Sequence, residues 1–153
     1  VEQYFIRYLN EERRERGLQP LSQRQVLTEM GENHSQVMAR EGGIGHVEPD
    51  GDTIRDRYQR RDLLPECRLP IDGSDKYYPG AENVAATWLY REIQSEDGTT
   101  YIDSEQELAQ QLLEQWMNSP PHRKAMLVSS ADQAGLGLYI TGENKVYASL
   151  ELC

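Results

Sequence analysis

Trp116-Met117-Asn118-Ser119-Pro120-Pro121-His122-Arg123 is the stretch on which the reading of this chain turns. It closes a helix. Leu108, Leu112, Leu113 and Trp116 recur at helical spacing and give residues 104–118 a buried face, with Asp103 or Ser104 placed to cap its start. Ser119-Pro120-Pro121 stops it, because proline lacks the N–H that the ladder needs. His122 begins a short further turn of helix reaching Leu127. A serine and a histidine three residues apart thus sit where a helix stops, outside its apolar stripe.

Beyond this stretch, residues 134–141 and 145–152 are rich in β-branched, aromatic and leucine side chains. They read as two strands joined by Gly142-Glu143-Asn144. Before it, Glu82-Asn83-Val84-Ala85 opens an apolar segment reaching Tyr90, followed by a polar stretch, 94–103, with a turn signal at Asp97-Gly98. Residues 65–80 read as an irregular loop ending in Tyr77-Tyr78-Pro79-Gly80, long enough to carry function. Residues 52–61 predict a short charged helix, and 42–51 a glycine-rich loop bearing His46, with Pro49-Asp50-Gly51 as a turn. Ser22 is placed to cap a helix reaching about Arg40, with Val26, Met30, His34, Val37 and Met38 on one face. Residues 3–16 predict an amphipathic helix with Phe5, Tyr8 and Leu9 on its apolar side and Gly17 ending it. The result is one α+β domain with a terminal antiparallel hairpin.

The chain has 153 residues, the size of a single domain able to bury its own core. Its net charge of -10 argues against nucleic acid and against an anionic membrane surface as partners. The arginines at 55, 57, 60 and 61 are interleaved with aspartates, so they form no basic face. Lysine occurs only at Lys76, Lys124 and Lys145. Few lysines and many carboxylates suit a halophilic setting, where salt screens surface charge, and equally suit plain compositional drift. No apolar run approaches the roughly 18 residues that a membrane span needs. The chain begins at Val1 without Met and reads as a mature or trimmed form.

Cys67 and Cys153 are the only cysteines. No CxxC metal motif is present. They are either two separate thiols or one disulfide closing most of the C-terminal half. A cysteine at the last position favours the disulfide, and with it an oxidising compartment.

His46 and His122 lie outside any apolar stripe. They are either surface histidines or two loop-borne imidazoles converging on one ligand. His34, on the buried-leaning face of its helix, reads as a hydrogen-bonded histidine at the core edge. Glu82 can cap a helix, orient a histidine or complete a metal site. Ser119 can satisfy backbone groups at the helix end. It can also act as a nucleophile with His122 as base and Glu82 as orienter, though no GxSxG elbow accompanies it.

In this order the segments resemble the CAP superfamily (cysteine-rich secretory proteins, antigen 5, pathogenesis-related 1), and most of all its short prokaryotic SCP-domain branch. The resemblance runs through Leu9-Asn10-Glu11-Glu12-Arg13, His34-Ser35, Gly45-His46 with Pro49-Asp50-Gly51, and Gly80-Ala81-Glu82-Asn83-Val84-Ala85. It continues through residues 116–123 and Gly135-Leu136-Gly137. Each segment is weak alone; their order is specific. The resemblance implies a three-layer α-β-α sandwich with a central, mostly antiparallel sheet. It implies a polar cleft in which His46, Glu82 and His122 match three members of a tetrad of two histidines and two acids. Ser119 stands where the second acid usually lies. A divalent ion, zinc or calcium, held by His46 and His122 is compatible with that set.

The resemblance further implies secretion or surface exposure, but not an enzyme. The expected function is a binding module whose cleft, His46, Glu82, Ser119 and His122, takes a small ligand, lipid or peptide. One rival is a peptidase or other hydrolase using a metal-activated water with Glu82 as base, or Ser119 with His122. Another is a cell-surface interaction domain that meets a protein partner through residues 65–80, where Tyr77 and Tyr78 stand.

Overall fold

The computed structural model describes residues 1–71, 73–96 and 98–153. Its centre is a four-stranded sheet. β8 (Lys145–Leu152) lies between β7 (Gln133–Ile140) and β4 (Ala81–Trp88) and is antiparallel to both. β1 (Ser22–Gln23) runs parallel to β7 at the edge, which makes the order β1-β7-β8-β4. The two-residue period of a strand sorts β8 onto two faces. Val146, Ala148, Leu150 and Leu152 enter the main core, whereas Tyr147, Ser149 and Glu151 face the other way.

The core face is covered by α1 (Glu2–Glu15), α4 (Glu105–Met117) and α5 (Pro120–Met126). Phe5, Leu9, Leu112 and Trp116 are fully buried there, with the Phe5 and Trp116 rings edge to face at 5.5 Å. Burying side chains of this size stabilises by about 2–3 kcal/mol each. Arg13 is also fully buried. Its guanidinium donates to the carbonyls of Gln19, Met126, Val128 and Ala131, which pins the chain after α5.

α2 (Gln25–Glu41) covers the opposite face, completing the three-layer α-β-α sandwich. It lies close because Gly135 and Gly137 of β7 put no side chain beneath it. A Cβ on Gly137 would stand 1.8 Å from the Glu32 amide nitrogen, and one on Gly31 2.7 Å from the Gly137 nitrogen. α3 (Ile54–Arg60) starts at a capping box between Thr53 and Asp56. Among the described residues no helix is long and apolar enough to cross a membrane.

Several expectations are corrected. Ser22 belongs to β1; Arg24 precedes α2 and no side chain caps it. The segment opened by Glu82 is a strand, so Glu82 caps no helix. Residues 65–80 are not wholly irregular: β2 (Arg68–Pro70) pairs with β3 (Tyr77–Pro79). The polar stretch 94–103 is largely a second hairpin, β5 (Glu92–Ser95) with β6 (Gly98–Tyr101). Of the turn signal there, Asp97 lies outside the described residues. Cys67 and Cys153 form a disulfide across 86 residues. Closing so long a loop stabilises by about 4 kcal/mol through the unfolded chain.

Candidate functional site

Glu82 on β4 and Glu151 on β8 are cross-strand partners on the α2 face of the sheet, and both are buried. Around them α2 supplies His34, the following loop supplies His46 and Glu48, and α3 supplies Arg57. Glu82 is saturated. Its Oε1 accepts from His46 Nδ1 at 2.9 Å and its Oε2 from Arg57 Nη2 at 2.5 Å. His34 Nε2 stands 3.5 Å from Oε1. Burial alone would raise the Glu82 pKa. Hydrogen bonds from His46 and Glu151, with the charges of Arg57 and His34, outweigh it and hold Glu82 below its ordinary range.

Glu151 goes the other way. Burial and then the Glu82 charge push its pKa well above the ordinary 4.5. Its Oε1 accepts from Ser149 Oγ at 2.8 Å, and its Oε2 is buried with no donor to accept from. A proton on Glu151 turns two repelling acceptors into a donor and an acceptor. A proton shared by the pair is favoured on Glu151, because His46 and Arg57 both favour the anion at Glu82.

His34 is the staple of the loop that carries His46. It is 1% exposed, with Nδ1 2.9 Å from Glu48 Oε1 and Nε2 2.7 Å from the Gly45 carbonyl. Arg57 adds a bond from Nη1 to the His46 carbonyl at 3.0 Å. The backbone on both sides of His46 is thus fixed from α2 and α3, while its ring stays 44% exposed.

His122 approaches from α5. Asn83 on β4 donates to its carbonyl at 3.0 Å. Its Nδ1 is 2.8 Å from Ser119 Oγ, which makes no capping bond to α5. Burial, with a smaller effect from His46, lowers the His122 pKa, so the neutral ring is favoured. Glu82 does not orient His122; it orients His46. Both cleft histidines therefore engage protein through Nδ1. Neither Nε2 has a protein partner among the described residues. This is the disposition that prepares an imidazole for a metal or a polar ligand, with the other ring nitrogen fixed by a hydrogen bond.

An acidic group adjoins the cluster and shares Glu48 with it. Ligand oxygens of Glu48, Asp50 and Asp52 lie within 4.8 Å of one another, and such a group can in principle hold a divalent ion. The sequence reading missed Glu48, Arg57 and Glu151. A signal for Glu151 existed: Ser149 and Glu151 alternate with Ala148, Leu150 and Leu152, which puts them on the other face of a strand.

A sandwich of this order, with histidines and glutamates gathered where the α2 face meets α5, defines a class before any comparison. The sequence matches the cysteine-rich secretory protein family, CAP, over residues 6–151, and the chain belongs to that family. Its fold is similar to that of an outer surface protein from Borrelia burgdorferi (TM-score 0.69, 16% identity, 98% of this chain and 90% of that one). It is also similar to an extracellular SCP-domain protein from Bacillus anthracis (TM-score 0.66, 22% identity, 99% of this chain). A third likeness is to a cysteine-rich secretory protein from Staphylococcus aureus (TM-score 0.58, 20% identity, 97% of this chain). The chain spans 39% and 36% of the last two. No curated protein matches it.

Proposed function

We propose that this chain is an extracytoplasmic binding module. Its cleft, His46, Glu82, Ser119 and His122, takes a divalent ion through Nε2 of His46 and of His122, together with a small ligand or peptide. The observation that carries this reading is the shared use of Nδ1 by both imidazoles, on Glu82 and on Ser119, which leaves both Nε2 atoms without a protein partner among the described residues, each a lone-pair nitrogen when Nδ1 carries the ring proton. Glu82 is a positioning residue, since both of its oxygens are already engaged. Two imidazoles suit zinc; the oxygen group Glu48, Asp50 and Asp52 suits calcium. An extracytoplasmic place is supported by the disulfide and by the outer-surface and extracellular proteins that share the fold. Zinc titration by calorimetry tests it. Wild type binds one ion, and His46→Ala/His122→Ala, still folded, binds none. Equal binding by both proteins refutes the histidine site. Binding lost instead in Asp50→Asn moves the ion to the acidic loop.

One observation favours a hydrolase as the second reading: the 2.8 Å contact between Ser119 Oγ and His122, with the serine hydroxyl unused as a cap. Ester or peptide turnover, and labelling of Ser119 by a serine-directed probe, both lost in His122→Ala, would establish it. A protein that neither turns over nor labels leaves the binding module alone.

A further inference from the structure

The chain carries 26 acidic residues against 16 lysines and arginines, yet the described lining of one cavity holds no acid. A cavity of about 370 Å³ is lined by Arg55, Leu64, Arg68, Lys76, Tyr77 and Tyr78 with Pro79. None of these three cations pairs with a carboxylate among the described residues. Asp56, beside Arg55 in sequence, hydrogen-bonds within the Thr53 capping box and feels Arg55 only through its charge, after that of Arg60. A second cavity, about 270 Å³, shares Tyr78 and has Lys124, Ile71, Leu127 and Ser129 in its wall, again with no acid among the described residues. Two of the three lysines of the chain therefore flank one tyrosine.

The frame beneath is fixed. Arg68 follows Cys67, whose disulfide ties it to the end of the central sheet. Gly80 N donates to the Cys67 carbonyl at 2.7 Å, and β2 pairs with β3 from Arg68 to Pro79. Tyr77 and Tyr78 are each 53% exposed. The Arg68 guanidinium stands 5.8 Å from the Tyr77 ring centre.

We propose that these two cavities, meeting at Tyr78, bind an acidic oligosaccharide with one carboxylate per sugar ring. The site is independent of the histidine cleft. Tyrosine rings offer flat faces to the carbon faces of sugars, and an unpaired guanidinium offers a fork to a carboxylate. Two adjoining cavities suit an extended ligand. The net charge of -10 disfavours a dense phosphate polymer and is better matched to sparse charge. An acidic peptide added as a strand is disfavoured too, because β3 is three residues long and ends in Pro79, which has no N–H to give.

The test is calorimetric titration of the whole chain with tetragalacturonate, with a neutral galactose tetramer and hexaglutamate as comparisons. The tetra-acid should bind one to one, weaken as salt is added, and prefer the protein over the neutral tetramer by about tenfold or more. Arg68→Gln/Lys76→Gln and Tyr78→Ala should each lose about tenfold. Exposed Lys76→Gln alone, whose melting point should match wild type, should lose part of it. His46→Ala/His122→Ala should bind the tetra-acid as wild type does. No heat at millimolar sugar, equal binding of the neutral tetramer, tighter binding of hexaglutamate, or an unchanged affinity in folded Lys76→Gln overturns the proposal.

Discussion

Glu151 is the residue whose chemistry most depends on the fold. Its folded pKa is raised and its unfolded value is ordinary, near 4.5. Between those two values the native state keeps a proton that the unfolded chain has released. Stability from this group is full below about pH 4.5 and is lost as pH rises toward the folded value, by up to about 1.4 kcal/mol per pH unit. Glu82 has the opposite sign: its pKa is lowered, so its stabilisation is present above the ordinary range and disappears as pH falls through the folded value. Glutamine imitates protonated Glu151 but does not titrate. Melting temperatures measured from pH 5 upward should decline in wild type and stay flatter in Glu151→Gln, with the variant ahead at neutral pH. Parallel curves would mean that Glu151 ionises freely.

Among the elements, α2 matters most, because it holds the sheet with one side and the His46 loop with the other. Its approach depends on Gly31 and Gly137, where backbone meets backbone and nothing flexible can yield. Gly137→Ala should lift the helix and cost about 2 kcal/mol or more. Because His34 rides on that helix, the variant should also weaken zinc binding. A denaturant midpoint unchanged in Gly137→Ala would show that the helix does not rest on this contact. The long helices and the terminal hairpin were legible in the sequence because Leu108, Leu112 and Trp116, or the alternation along 145–152, repeat at the period of their element. The short strands were not. β1, β2 and β3 have two or three residues each, too few to show a period, and exist because partners distant in sequence supply their hydrogen bonds.

At the scale of the whole molecule, the site is assembled from parts that the sequence scatters. His46 and His122 stood out as residues without a core role, and the CAP resemblance set Glu82 beside them. That Ser119 serves His122 is a local contact three residues apart and was legible; that Glu82 serves His46 and Arg57 follows from the crossing of β4, α3 and the loop after α2 and has no local signature. The central claim is that two imidazoles, each held at Nδ1, present Nε2 to one ion. Long-range proton–nitrogen spectra of the histidines, recorded while zinc is added at neutral pH, test it most directly. The account predicts that Nε2 of His46 and of His122 shift together and saturate at one equivalent, while buried His34 changes little. Unmoved Nε2 signals, or changes confined to the Glu48, Asp50 and Asp52 loop, would contradict it.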